Sequence, residues 1–152
     1  MKITLLGTGS PIPDPHRAGP SSLLTSGSDL VLVDAGRGVV QRLAGAGVFP
    51  VFLKGVVLTH LHSDHTMGLA DAIFTPWIQG KREPVHIYGP TGLEYLVQTV
   101  LDGNAEDIRE RYSAPGGPSR DGWKAQVHEV APGDLVLVTT ERKRPIGWAL
   151  WS

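Results

Sequence analysis

Thr59-His60-Leu61-His62-Ser63-Asp64-His65 constrains this chain more than any other stretch. Three of its six histidines and an aspartate fall within six positions. The apolar run Gly55-Val56-Val57-Leu58 before it predicts a buried strand. Met67-Gly68-Leu69-Ala70-Asp71-Ala72-Ile73-Phe74 after it predicts a helix. A loop between strand and helix is held by rigid neighbours yet open to solvent, which suits chemistry. His60 and His62 are two apart, so an extended backbone projects both to one side. Asp64 and His65 follow the turn and can address a second point nearby. The loop can therefore offer a nitrogen pair to one cation and an oxygen–nitrogen pair to another. Imidazole and carboxylate together suit zinc, iron or manganese. A plainer account makes the histidines a chance surface cluster and Asp64 a helix cap. One histidine alone would favour that account. Ligand-type residues at positions 1, 3, 5 and 6 of one loop favour a metal.

A chain of 152 residues is long enough for one domain with a real core. With 41% hydrophobic and 19% charged residues, the composition argues against wholesale disorder. The formal net charge of −1 gives no electrostatic case for broad nucleic-acid binding but leaves room for a local basic patch. Without cysteine, disulfides and thiolate metal sites are excluded. The start, Met1-Lys2-Ile3-Thr4-Leu5-Leu6, is too short for a signal peptide, and no run reaches membrane-spanning length. A soluble, cytoplasmic protein with no membrane segment is the expectation.

Around the central loop, glycine and proline punctuate short elements. Lys2 to Leu6 predicts a first strand, ended by Gly7-Thr8-Gly9-Ser10, whose glycines permit close approach of another group. Pro11 to Pro20 is a loop carrying Asp14, His16 and Arg17, with His16 expected in solvent. Strands are predicted at Ser22–Thr25 and Asp29–Asp34, with a hairpin turn at Ser26-Gly27-Ser28. Val39, Val40 and Leu43 line a short helix with Gly45 as its C-terminal cap. Asp34 ends an apolar strand, where a carboxylate needs bonding partners. It reads equally as a turn cap and as a group that orients a histidine ligand.

Pro84 to Tyr88 predicts a strand in which His86 is packed rather than ligating. A helix follows, with Thr91 and Glu94 as a capping box and Leu93, Leu96, Val97, Val100 and Leu101 on its apolar stripe. Gly103 ends it, and Asn104 to Arg111 predicts a further helical turn. Strands are predicted at Lys124–Val130 and Leu135–Thr139, with His128 and Glu129 at the surface. From Glu141 onwards a basic-rich run and two tryptophans show no periodicity.

Four segments together resemble the metallo-β-lactamase-fold hydrolases. They are Leu5-Leu6-Gly7-Thr8-Gly9-Ser10, Val33-Asp34-Ala35-Gly36, the Thr59–His65 loop and Ile87-Tyr88-Gly89-Pro90. Within that superfamily the ribonuclease Z-like and arylsulfatase-like branch is most similar. The resemblance implies an α/β (α+β) fold, a four-layer αββα sandwich of which this chain holds only the first ββα half. Residues 1–140 would be the N-terminal part of the domain and residues 141–152 an atypical tail.

It further implies two zinc ions, with manganese or iron as alternatives. His60 and His62 would hold the first, Asp64 and His65 the second, with Asp34 supporting the ligands from behind. Asp64 would also be catalytic, accepting a proton from the attacking water. The implied reaction is phosphodiester hydrolysis by metal-bound hydroxide, of the kind performed by a tRNA 3′-end endonuclease on RNA. Hydrolysis of a sulfate ester or another small ester by the same fold is the alternative. A homodimer is the implied assembly. The family pattern also asks for a later histidine, a bridging aspartate and a last histidine, and no convincing match for them stands in this chain. The expectation is therefore a truncated chain, either completed from elsewhere or a non-catalytic remnant.

Overall fold

Leu23, Leu32, Val56 and Ile87 stand side by side in one row across four strands. All four are 2% exposed or less, so this row is the centre of the core. Each fully buried side chain of this size stabilises the fold by about 1.5–3 kcal/mol. The row exists because each strand alternates its faces, and the pairing registers align the apolar members.

The computed structural model describes residues 1–119, 121–137 and 147–149, the last three and 135–137 by their backbone only. Its main sheet has six strands in the order β1 (Lys2–Gly7), β2 (Ser21–Ser26), β3 (Asp29–Val33), β4 (Leu53–Val57), β5 (Val85–Gly89) and β6 (Ala125–Glu129). β1, β2 and β3 pair antiparallel, as a hairpin sequence requires. β3, β4, β5 and β6 pair parallel, and each parallel step needs a crossover. The crossovers are α1 (Val39–Gly45), then α2 (Ser63–Thr66) with α3 (Leu69–Ile78), then α4 (Leu93–Gly103) with α5 (Ala105–Ser113). Val39, Leu43, Leu69, Ile73, Trp77, Leu93, Val97 and Ile108 from these helices pack on the central row, so the helices cover one face. The opposite face carries a smaller cluster of Leu24, Val31 and Val57 with Val33, Tyr88 and Val130. The first ββ hairpin and the strand–helix alternation thus follow the expected mixed α/β layout.

Several local expectations are corrected. The helix expected over Met67–Phe74 starts only at Leu69, and a separate turn, α2, ends before it at Thr66, because the chain breaks at Gly68. Gly68 donates its N–H to Ala35 O at 2.7 Å, and a Cβ there would sit 2.5 Å from Gly36 O. The backbone contact with the turn after β3 leaves no room for a side chain. α3 then runs past Phe74 to Ile78, with Pro76 tolerated in its last turns.

The left-handed residue that ends α1 is Gly47, at φ 73°, and not Gly45, which is still helical. Gly47 N–H reaches Ala44 O and Val48 N–H reaches Leu43 O, the paired bonds of a Schellman ending. The Thr91–Glu94 capping box does not form. Gly92, at φ 98°, is the residue before α4, so Thr91 stands one position too early. Glu129 of β6 supplies the cap instead, accepting the N–H groups of Gly92 at 2.8 Å and Glu94 at 3.1 Å.

His128 is half-buried rather than at the surface, stacked on Tyr88 with ring centroids 4.4 Å apart. His86, as expected, is packed, with its Nδ1 3.1 Å from His128 Nε2. His16 is exposed, as expected. Beyond β6, β7 (Leu135–Leu137) pairs antiparallel with β8 (Gly147–Ala149). The rest of the tail, with the end of the strand expected to Thr139, lies outside the described residues.

Candidate metal centre

The site grows from the carboxyl end of β4. Leu58 N–H still pairs with Tyr88 O at 2.7 Å, and then the chain leaves the sheet as an extended segment. Leu61 packs against the core and approaches Gly92. Alternation sends His60 and His62 the other way, as their spacing requires. Their ring centroids are 4.6 Å apart. His62 is also the extended residue that opens α2, so Asp64 and His65 fall in its single turn. Asp64 and His65 are therefore helical rather than in a loop. His65 N–H and the Thr66 hydroxyl both bond His62 O, which tightens that turn. The turn swings the His65 ring to 4.1 Å from that of His60, and His65 Nε2 lies 3.6 Å from Asp64 Oδ2. The structure thus brings together His60, His62, Asp64 and His65.

Asp34 stands behind them. Its φ of 59° is the left-handed region, which aspartate tolerates better than most residues. The conformation is held by its partners. Asp34 N–H bonds Val57 O at 2.8 Å, and Ala35 N–H bonds His65 O at 2.8 Å. The buried carboxylate accepts Thr59 N–H at 2.8 Å and the Thr59 hydroxyl at 2.9 Å, both on Oδ1. Its Oδ2 lies 2.8 Å from His65 Nδ1. An ionised carboxylate only accepts, so His65 Nδ1 carries the proton and donates it. The Nε2 lone pair of His65 is then left on the Asp64 side, the form a cation needs. Asp34 thus holds the turn after β3 and bonds the His65 ring in one geometry.

The donor chemistry, imidazole nitrogens beside a carboxylate, fits a divalent transition-metal cation. Among the described residues, no three His, Cys, Asp or Glu side chains converge as a cage for one ion. The donors among the described residues form an open set. Thr59, whose side chain joins Asp34 to the His60 ring at 3.0 Å, was not singled out by spacing, although it directly precedes the first histidine. Arg37, Asp14 and Arg17 line a small recess beside Asp64, bordered by the Pro11–Pro20 loop. Away from this centre, burial pushes the His86 imidazole down, with His128 and then Lys81 adding to the shift. Burial likewise pushes the Tyr88 phenol up and the Lys81 ammonium down.

Comparison with known proteins bears on this arrangement. A family model described as anti-Pycsar protein Apyc1 matches residues 1–114. A ribonuclease Z of Mycobacterium bovis (strain BCG / Pasteur 1173P2) is 49% identical over 114 residues, 73% of this chain and 41% of that protein. A ribonuclease Z of Mycobacterium sp. (strain KMS) is 42% identical over 135 residues, 88% of this chain and 47% of that protein. The chain therefore spans less than half the length of these relatives. The crystal structure of the short form of human tRNase Z superposes with a TM-score of 0.69 at 27% identity, over 85% of this chain and 45% of that one. A metallo-β-lactamase-fold protein of Bacillus subtilis superposes with a TM-score of 0.59 at 22% identity, over 88% of this chain and 46% of that one, which bears on the fold alone. The matched stretch takes in β1 through α5 and carries the whole histidine–aspartate loop, and on that ground the chain belongs to the metallo-β-lactamase-fold hydrolases, in the family of the anti-Pycsar protein Apyc1.

Proposed function

We propose that this chain carries the first metal-binding half of a phosphodiesterase of the ribonuclease Z type, with RNA as its substrate. The observation that carries the proposal is the placement of the His65 ring, 4.1 Å from that of His60 and with its Nε2 3.6 Å from Asp64, while the Asp34 carboxylate bonds its Nδ1 at 2.8 Å. In this reading His60 and His62 hold one zinc ion, and Asp64 and His65 a second, with manganese or iron as alternatives. Bound there, the metal would acidify water and stabilise charge on phosphoryl oxygens. Asp64 takes up the proton of the attacking water, from a position only 13% exposed. Asp34 keeps its hold on His65 throughout, so that the imidazole presents the same nitrogen in every turnover.

Residues 1–140 form the N-terminal part of the hydrolase domain in this reading, and residues 141–152 a tail that is foreign to it. The assembly is a homodimer in the cytoplasm. Among the described residues, no helix is long and apolar enough to cross a membrane, which is consistent with that placement.

Metal analysis tests the proposal. The purified chain should retain zinc, and replacing His60 and His62 together by alanine should abolish retention. Replacing His16 or His128 should leave it unchanged. Equal loss from both pairs would sink the assignment. Cleavage of a precursor tRNA against a chromogenic phosphodiester and a sulfate ester would then separate the substrate classes.

One observation favours a second reading. The donors among the described residues do not close around one point. Metal binding without hydrolysis fits that arrangement. It would show as zinc retained by the chain with no turnover of any of the three substrates.

A further inference from the structure

We propose that Thr59 is a positioning residue that fixes the tautomer of His60. The inference rests on the metal-centre reading for its purpose but not for its geometry. The Thr59 Oγ1 lies 2.9 Å from both Asp34 oxygens and 3.0 Å from His60 Nδ1. A hydroxyl has a single proton to give. The ionised Asp34 carboxylate can only accept, and charge-assisted bonds are the stronger ones. The proton therefore goes to Asp34. Turned toward His60 instead, the hydroxyl would set its lone pairs against two carboxylate oxygens at 2.9 Å. With its proton committed, Oγ1 meets His60 as an acceptor, so His60 Nδ1 must carry the hydrogen. The lone pair of His60 then sits on Nε2.

Asp34 thus controls two histidines, His65 directly and His60 through Thr59. Both end in the same tautomer, with both Nε2 atoms free as donors to a cation. Thr59 is itself held for the task, because its N–H bonds the same Asp34 Oδ1 at 2.8 Å. Two bonds from one residue to one carboxylate leave the hydroxyl little freedom to turn. Valine has the shape of threonine without the oxygen, and serine keeps the oxygen without the methyl group.

Nitrogen-15 NMR of the imidazole groups in the full chain, free of metal and well above the imidazole titration range, tests the assignment. Wild type and Thr59→Ser should show His60 protonated on Nδ1. Thr59→Val should shift His60 toward the Nε2–H form and leave His65 unchanged. Zinc titration of the same three proteins should show affinity lower by about 10-fold or more for Thr59→Val, with serine close to wild type. An Nε2–H form of His60 in the wild type overturns the proposal before any variant is made. An unchanged His60 in Thr59→Val, folded by its NMR dispersion, overturns it as well. Failure of the wild type to bind zinc, with the tautomers as stated, supports the Thr59 assignment and removes the metal-centre reading instead.

Discussion

Glu129 Oε1 accepts the N–H of Gly92 at 2.8 Å, so the last residue of β6 closes the amino end of α4. The same oxygen takes Glu94 N–H at 3.1 Å, satisfying two of the donors that a helix leaves open at its start. The contact spans 37 positions in sequence and docks a crossover helix on the strand that follows it.

Replacing Glu129 by alanine should therefore cost about 0.5–2 kcal/mol, the usual loss for a helix cap. Thr91→Ala should change stability by less than about 0.5 kcal/mol, as a surface substitution without a structural role does. Urea denaturation of the two variants checks this. A larger loss from Thr91→Ala than from Glu129→Ala would restore the local capping box.

Asp34→Asn should weaken zinc binding by about 10–100-fold, the usual effect of losing a ligand's hydrogen-bond partner. An amide offers one acceptor oxygen where the carboxylate offers two, so it cannot serve both Thr59 and His65 Nδ1–H. The variant should also be less stable, because Asp34 is buried and its backbone conformation is kept by those partners. Zinc titration with parallel thermal unfolding separates the two effects. Undiminished zinc affinity would remove Asp34 from the site.

These two cases show which features were legible in sequence. Apolar runs and turn residues placed β1 to β6, and the histidine spacing singled out the candidate donors, because both signals are carried by neighbouring residues. The role of Asp34 was half legible, since a carboxylate after an apolar strand needs partners but does not name them. The cap of α4 was not legible, because Glu129 reaches it only after β6 has paired beside β5. Gly68 hid for a related reason. It sits within a helical pattern, and only the approach of the Ala35–Gly36 backbone shows why the helix must break there. The Thr59 hydroxyl escaped because its meaning is a count of protons among three side chains, which no spacing encodes.

The packed His86 should make stability depend on pH. Burial lowers the His86 value below the ordinary imidazole value, about 6.5, with His128 and Lys81 adding to the shift. A folded-state value below the unfolded one means that the unfolded chain takes up the proton first as pH falls. The contribution is thus absent above the unfolded value and becomes a growing penalty as pH drops through it. His86→Gln should flatten the fall in stability between about pH 7 and pH 5. Urea midpoints at those two values check the slope. An equal fall in wild type and variant would place the titrating group elsewhere.

Two glycines in helical surroundings should respond to alanine with opposite signs. Gly103 ends α4 with nothing within 4 Å of a Cβ built on it and no left-handed conformation. Alanine there removes conformational freedom from the unfolded chain and should stabilise by about 0.5–1 kcal/mol. Gly68 stands where a Cβ would lie 2.5 Å from Gly36 O and 2.8 Å from Val39 Cγ1. Either the backbone turn after β3 or the start of α3 must move to admit it, which should cost about 1–3 kcal/mol. The displacement would act on the site as well, since Ala35 N–H holds His65 O and Asp34 holds the His65 ring. Gly68→Ala should therefore lower both the urea midpoint and zinc affinity, while Gly103→Ala raises the midpoint and leaves affinity alone. A Gly68→Ala protein as stable and as tight for zinc as wild type would show that the contact between α3 and the Asp34 turn is not what aligns His65.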